Sequence, residues 1–120
     1  MNFQTFSTML KRIGGIDGVH LGCCQIGNQP NVHLLLRPDR RRRRAVPCRW
    51  VAGYRENIDW LDSMFVDLLF WRFLLQDPRR DPWRAVMKTY RRFPHARDQG
   101  FAVFGNGPRG MLRDSLSESE

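Results

Sequence analysis

The sequence predicts an α+β fold in one small domain. A β-hairpin or short antiparallel sheet packs on an α-helical hairpin, with a basic loop and a disordered acidic tail. Three observations carry this reading. Asn57–Gln76 is the densest apolar segment, and Asp81–Phe93 follows it with apolar residues at helical spacing. Val19–Ile26 and Val32–Leu36 are short apolar runs separated by Gly27-Asn28-Gln29-Pro30-Asn31, a turn signal. Arg40–Arg44 are five adjacent arginines, whose mutual repulsion places them in an exposed loop spanning 37–44. A chain of 120 residues suffices for one domain with a modest core, expected over 1–113, with 114–120 as the tail.

At the N-terminus, Phe3, Phe6, Met9, Leu10 and Ile13 recur at helical spacing. Lys11 and Arg12 fall in the last turn, before the Gly14-Gly15 stop. The favoured reading is a helix packed on the domain. The absence of acids before Asp17 also suits a mitochondrial targeting peptide. A lone hairpin over 19–36 is marginal in water, so Phe101–Phe104 is expected as a third strand.

In the Asn57–Gln76 helix, Asn57 is the expected N-cap, and Asp59 and Asp62 suit the positive end of the dipole. A helical wheel gathers Asp59, Asp62, Ser63 and Asp67 into one polar stripe, expected at solvent. Trp60, Leu61, Met64, Phe65, Leu68, Trp71 and Leu75 lie opposite and are expected in the core. The alternative is a partner-binding or interfacial helix, because this is more apolar surface than a small fold covers easily. Four charges within it argue against a membrane span. Asp77-Pro78 ends the helix and Asp81-Pro82 starts the next, with Asp as cap and Pro at the first helical position. Trp83, Val86, Met87, Tyr90 and Phe93 form its apolar stripe. Arg84, Lys88, Arg91 and Arg92 lie off that stripe.

The net charge is +8, and it is unevenly placed. Residues 37–49 carry seven arginines against one aspartate; residues 79–97 carry six arginines and Lys88 against one aspartate. Each block has a net charge of +6, so the rest of the chain is mildly acidic. Only Lys11 and Lys88 are lysines, and arginine suits bidentate phosphate contacts. This distribution points to a polyanionic partner. The candidate nucleic-acid-binding residues are Arg37, Arg40, Arg41, Arg42, Arg43, Arg44, Arg49, Trp50, Arg84, Lys88, Arg91 and Arg92. Trp50 and Tyr54 either stack on unpaired bases or anchor the arm to the core.

Catalysis has little support: there is no phosphate-binding glycine loop, nucleophile elbow or metal motif. His20, Cys23, Cys24, His33 and Cys48 lack zinc-knuckle spacing, and three cysteines are too few for a disulfide framework. Neither a cofactor nor a metal is expected. The arginine run, the tryptophans of both helices and the lack of a catalytic signature are similar in style to small viral accessory proteins.

The expected function is that of a non-enzymatic nucleic-acid-binding accessory protein, nuclear or nucleolar through Arg40–Arg44, with RNA favoured over DNA. The alternative is a cytoplasmic, membrane-associated regulator that docks on an anionic membrane surface or a host protein through its two helices. Homo-oligomerisation through 57–76 is a further expectation. In the tail, Ser115 and Ser117 each precede a glutamate by three residues, a context that suits acid-directed kinases.

Overall fold

A computed structural model describes residues 3–13, 15–25, 29–36, 48–56 and 58–118. In chain order these form α1 (Phe3–Ile13), β1 (Gly18–Gln25), α2 (Gln29–Leu36), β2 (Trp50–Tyr54), α3 (Trp60–Gln76), α4 (Pro82–Arg92), α5 (His95–Asp98), β3 (Phe101–Asn106) and β4 (Leu112–Asp114). The strands make one mixed sheet in the order β1-β2-β3-β4. The pair β1–β2 is parallel, whereas β2–β3 and β3–β4 are antiparallel.

Helices cover both faces of this α+β fold, and the alternation of side chains along the strands shows how. Trp50, Ala52 and Tyr54 of β2, with Phe101 and Val103 of β3, pack under α3 and α4. Their neighbours Val51, Ala102 and Phe104 pack with Leu10 of α1 and Val32, Leu35 and Leu36 of α2. Every residue of β2 is buried, as befits a strand covered on both faces.

The expected hairpin over 19–36 does not form. Val32–Leu36 is helical and supplies the crossover that two parallel strands require. A short apolar run does not distinguish strand from helix by its pattern alone. Here Pro30 sits in the first helical turn, where its missing N–H costs nothing, and Val32, Leu35 and Leu36 reach the core at i, i+3 and i+4. β1 pairs instead with β2, the segment read from sequence as the flank of the arginine arm. α1 packs on the domain, with Ser7 Oγ donating to Leu34 O at 2.7 Å.

α3 and α4 form the expected helical hairpin. Asn57 lies outside the described residues, and Asp59 caps α3 by accepting from Leu61 N at 3.1 Å. The face that α3 buries is Ser63, Val66, Phe70 and Leu74, not the stripe containing Trp71. Leu68 is 65% exposed and Trp71 36%. α3 is apolar nearly all round, so hydrophobicity alone orients it weakly. Polar bonds to the sheet decide: Tyr54 donates its hydroxyl to Asp67 Oδ1 at 2.7 Å, and His20 Nε2 lies 2.9 Å from the same oxygen. Asp67 is thus drawn inward and the bulkier apolar stripe is turned outward.

Residues 114–118, expected to begin a disordered tail, are docked on the core. Ser115 is buried; its Oγ accepts from Val103 N at 2.9 Å and lies 2.8 Å from Tyr90 Oη. Asp114 pairs with Arg55. Arg97 donates to Leu116 O at 3.2 Å and to Glu118 O at 3.1 Å. These bonds outweigh the polar composition that suggested disorder. Residues 119 and 120 lie outside the described residues.

Candidate nucleic-acid interface

Arg49, from the first arginine-rich block, meets Arg79 and Arg80, from the second, at one end of the sheet. Three turns converge there: the start of β2, the α3–α4 turn and the end of β3. Arg49 immediately precedes β2 and is held by its backbone, with Arg49 N donating to Asp17 O at 2.7 Å. Its guanidinium lies 3.9 Å from the Asp17 carboxylate, both side chains being largely exposed. Arg49 shares a groove of about 450 Å3 with Arg79, Arg80 and Trp83.

α4 continues this basic surface. Asp81 caps it, accepting from Trp83 N at 2.9 Å and Arg84 N at 3.4 Å. Pro82 follows at the first helical position, and Ala85, Val86, Thr89 and Tyr90 turn to the core. That orientation places Arg84, Lys88, Arg91 and Arg92 on the exposed side. Arg84, Lys88 and Arg91 line a second groove of about 480 Å3 together with Trp83 and Arg113. Arg92 lies beyond it, facing Phe73 and Gln76 of α3 alongside Lys88 and Arg91.

Several of these cations also serve the fold. Arg84 Nε lies 3.8 Å from Oδ2 of Asp77, a buried carboxylate oxygen that accepts no hydrogen bond among the described residues. Arg80 has a left-handed backbone, φ 51°, and its guanidinium donates to Leu75 O and, at 2.7 Å, to Asp77 O, closing the C-terminus of α3. Arg113 stacks on Trp83 with its Cζ 3.8 Å from the ring centre and donates to Glu118 at 2.5 Å. Among the described residues, the side chains of Arg49, Arg79, Lys88 and Arg92 make no such structural contact beyond the exposed Arg49–Asp17 pair, so their substitution tests binding most cleanly.

Trp50 is corrected from a stacking residue to an anchor. It is 8% exposed and packs against Phe70, while Gly18 on the neighbouring strand lies under its ring, where a Cβ would collide with it. Tyr54 is fully buried. Trp83 is partly exposed but already carries the Arg113 guanidinium on its ring. Arg37 and Arg40–Arg44 lie outside the described residues. The chain on either side of 37–47 is fastened at this end of the sheet: Cys48 N donates to Leu35 O at 3.2 Å, and Asn106 Nδ2 to Leu36 O at 2.9 Å.

Sequence reasoning left Arg79, Arg80, Trp83 and Arg113 out of the candidate site. The Asp81-Pro82 helix start was a usable signal for the first three, since it fixes them at the mouth of α4. Arg113 joins only through the β3–β4 pairing, which the sequence pattern does not reveal.

No protein-family model, curated protein or solved structure matches this chain. Two of the residues considered for metal or nucleophilic chemistry, His20 and His33, are separated by the sheet. His20 packs with Phe70 and Phe101 under α3, whereas His33 belongs to α2 on the opposite face. Cys48 is buried and its thiol is pushed up to about 12 by burial, which disfavours the reactive thiolate at neutral pH. The side chains of Cys23 and Cys24 lie outside the described residues. Among the described residues no three potential metal ligands cluster, and no helix is long and apolar enough to cross a membrane.

Proposed function

We propose that this protein is a non-enzymatic nucleic-acid-binding accessory protein that engages the phosphate backbone of single-stranded or structured RNA in preference to specific duplex DNA. The supporting observation is that Arg49, from the first arginine block, shares a groove with Arg79 and Arg80, from the second, and that α4 extends this band through Lys88 to Arg92. A continuous line of exposed cations suits a phosphate chain, and the occupied face of Trp83 leaves little provision for reading bases. Arg37 and Arg40–Arg44 supply further phosphate contacts from the segment between Leu36 and Cys48, two residues held at this end of the sheet. Affinity for a structured RNA, measured across a salt series, tests the reading. Six to ten phosphate contacts correspond to a loss of about 10³–10⁵ in affinity between 50 and 200 mM salt. Binding no tighter than micromolar at low salt overturns it.

Arg40–Arg44 also form the proposed nuclear or nucleolar import signal. Changing all five to Gln in a reporter fusion too large for passive diffusion is expected to move it from nucleus to cytoplasm; an unchanged distribution refutes the signal. The outward apolar stripe of α3 favours a second activity, docking on another protein.

A further inference from the structure

We propose that two copies of this chain pair through α3, antiparallel about a two-fold axis at Leu68. Leu61, Met64, Leu68, Trp71 and Leu75 are exposed and spaced three, four, three and four residues apart. That spacing is the seam by which one helix packs on another. Trp60 and Phe65, 67% and 54% exposed, flank it. Aromatic side chains each offer roughly 150–250 Å2 and leucine and methionine somewhat less, so at their fractional exposures the seven side chains present on the order of 700 Å2. That is close to the ~800 Å2 per partner of a standard interface and above the usual largest patch on a monomer.

Charge selects the occupant and its direction. Glu56, Asp59 and Asp62 lie at the N-terminal end of α3, and Arg72, Arg79 and Arg80 towards its C-terminal end. An antiparallel second copy brings each acidic end to the other's basic end, whereas a parallel copy sets like charges together. Centring the pair on Leu68 places Leu61 beside the second copy's Leu75 and Met64 beside its Trp71. Arg72, the one charge within the stripe, then falls opposite the second copy's Phe65 as a cation–π partner. Trp71 is already held in place by its bond to His20, so little side-chain freedom is lost on docking. The cationic face of α4 stays outside the seam, whereas Arg79 and Arg80 belong to both surfaces, so pairing is measured in the absence of nucleic acid.

The test uses the full chain, freed of nucleic acid, with mass measured by light scattering across a concentration series. Wild type is expected to approach twice the monomer mass. Leu68→Asp places two carboxylates face to face at the axis and is expected to weaken association by about 100-fold or more while the far-ultraviolet spectrum is unchanged. Direction is read by cross-linking in a Cys23→Ser/Cys24→Ser background. Leu68→Cys is expected to form a disulfide-linked pair under mild oxidation. Leu61→Cys is not, because antiparallel pairing separates the two copies of that residue by roughly 20 Å. Monomeric wild type at every concentration overturns the proposal, as does a monomer that binds anionic vesicles through this stripe. Equal cross-linking of both cysteine variants overturns the antiparallel arrangement.

Discussion

Trp71 donates its indole N–H to Nδ1 of His20 at 3.2 Å. With Nδ1 accepting, the ring proton sits on Nε2 and is donated to Asp67, which also takes the Tyr54 hydroxyl. One chain of bonds therefore runs from the outward stripe of α3 to the centre of the sheet and fixes the rotation of the helix. Asp67→Ala removes the shorter of the Tyr54 hydroxyl's two acceptors, leaving Ser63 O at 3.1 Å, and takes the carboxylate from His20 Nε2, so it is expected to cost about 1–3 kcal/mol, read from the urea midpoint. Trp71→Phe keeps an aromatic ring on the seam and removes only the donor, so its cost is expected to be about 1 kcal/mol or less. Nitrogen shifts of His20 are expected to report the Nε2–H tautomer in wild type.

Neighbouring positions on α3 are expected to behave oppositely. Phe70 is fully buried among Trp50, Phe101 and His20. Phe70→Ala is expected to cost about 3–5 kcal/mol. Leu68→Ala, in the monomer at low concentration, is expected to stay within about 0.5 kcal/mol of wild type. Thermal melts of both variants check the assigned rotation, and similar losses for the two would refute it.

The sequence made the helical hairpin legible because Asp81-Pro82 and the stripe Trp83–Phe93 carry independent start and periodicity signals. β1 and β3 were legible as apolar runs beside glycine. The rotation of α3 was not, because its orientation rests on Asp67 meeting Tyr54 and His20, which are 13 and 47 residues away. Nor was α2, where four apolar residues among the five of Val32–Leu36 fit either state until the parallel β1–β2 pair demands a crossover. At the candidate site, the helical cations Arg84, Lys88, Arg91 and Arg92 were legible from periodicity. The meeting of Arg49 with Arg79 and Arg80 was not, because tertiary packing alone brings them together.

Ser115 and Ser117 provide a matched pair of probes for the docked C-terminal segment. Ser115→Ala strips Val103 N of its acceptor and Tyr90 Oη of a partner inside the core, so a loss of about 1–3 kcal/mol is expected. Ser117 is exposed, and its change to Ala is expected to be near neutral. Acid-directed kinases are expected to modify Ser117 and to spare Ser115 in the folded protein. Mass spectrometry after brief phosphorylation separates the two sites.

Alkaline pH is expected to destabilise the fold through two buried acids. Burial raises the Cys48 thiol from 9.0 to about 12, and chiefly burial raises the Tyr90 hydroxyl from 10.0 to about 12. In both, the native state holds the proton more tightly than the unfolded chain. Their contribution is therefore complete below about pH 9 and is lost as pH rises through 9 to 12. Urea midpoints are expected to fall across that window. Cys48→Ala is expected to flatten the fall, at the cost of a weak bond from Sγ to Leu35 O. A flat wild-type profile over the same range would contradict the burial of both groups.

The phosphate-binding reading is best tested at cations that the fold does not itself require. Arg84 faces the buried Asp77 carboxylate, Arg80 closes α3, and Arg113 is held by Trp83 and Glu118; changing these confuses stability with binding. Arg49, Arg79, Lys88 and Arg92 are exposed and span the band from one arginine block to the other. Changing all four to Gln removes the charge, keeps a polar side chain and, in the helix, keeps propensity close to that of Arg and Lys. The melting midpoint is accordingly expected to hold. Each lost contact removes about one counterion from those released on binding. The slope of log affinity against log salt is therefore expected to flatten by about three units for a single strand. Adding Gln at Arg40–Arg44 is expected to flatten it again, because those contacts come from a separate segment. A fourfold variant that keeps the wild-type slope, with the fold intact, would remove this band from the nucleic-acid interface and leave the arginine run as the only contact.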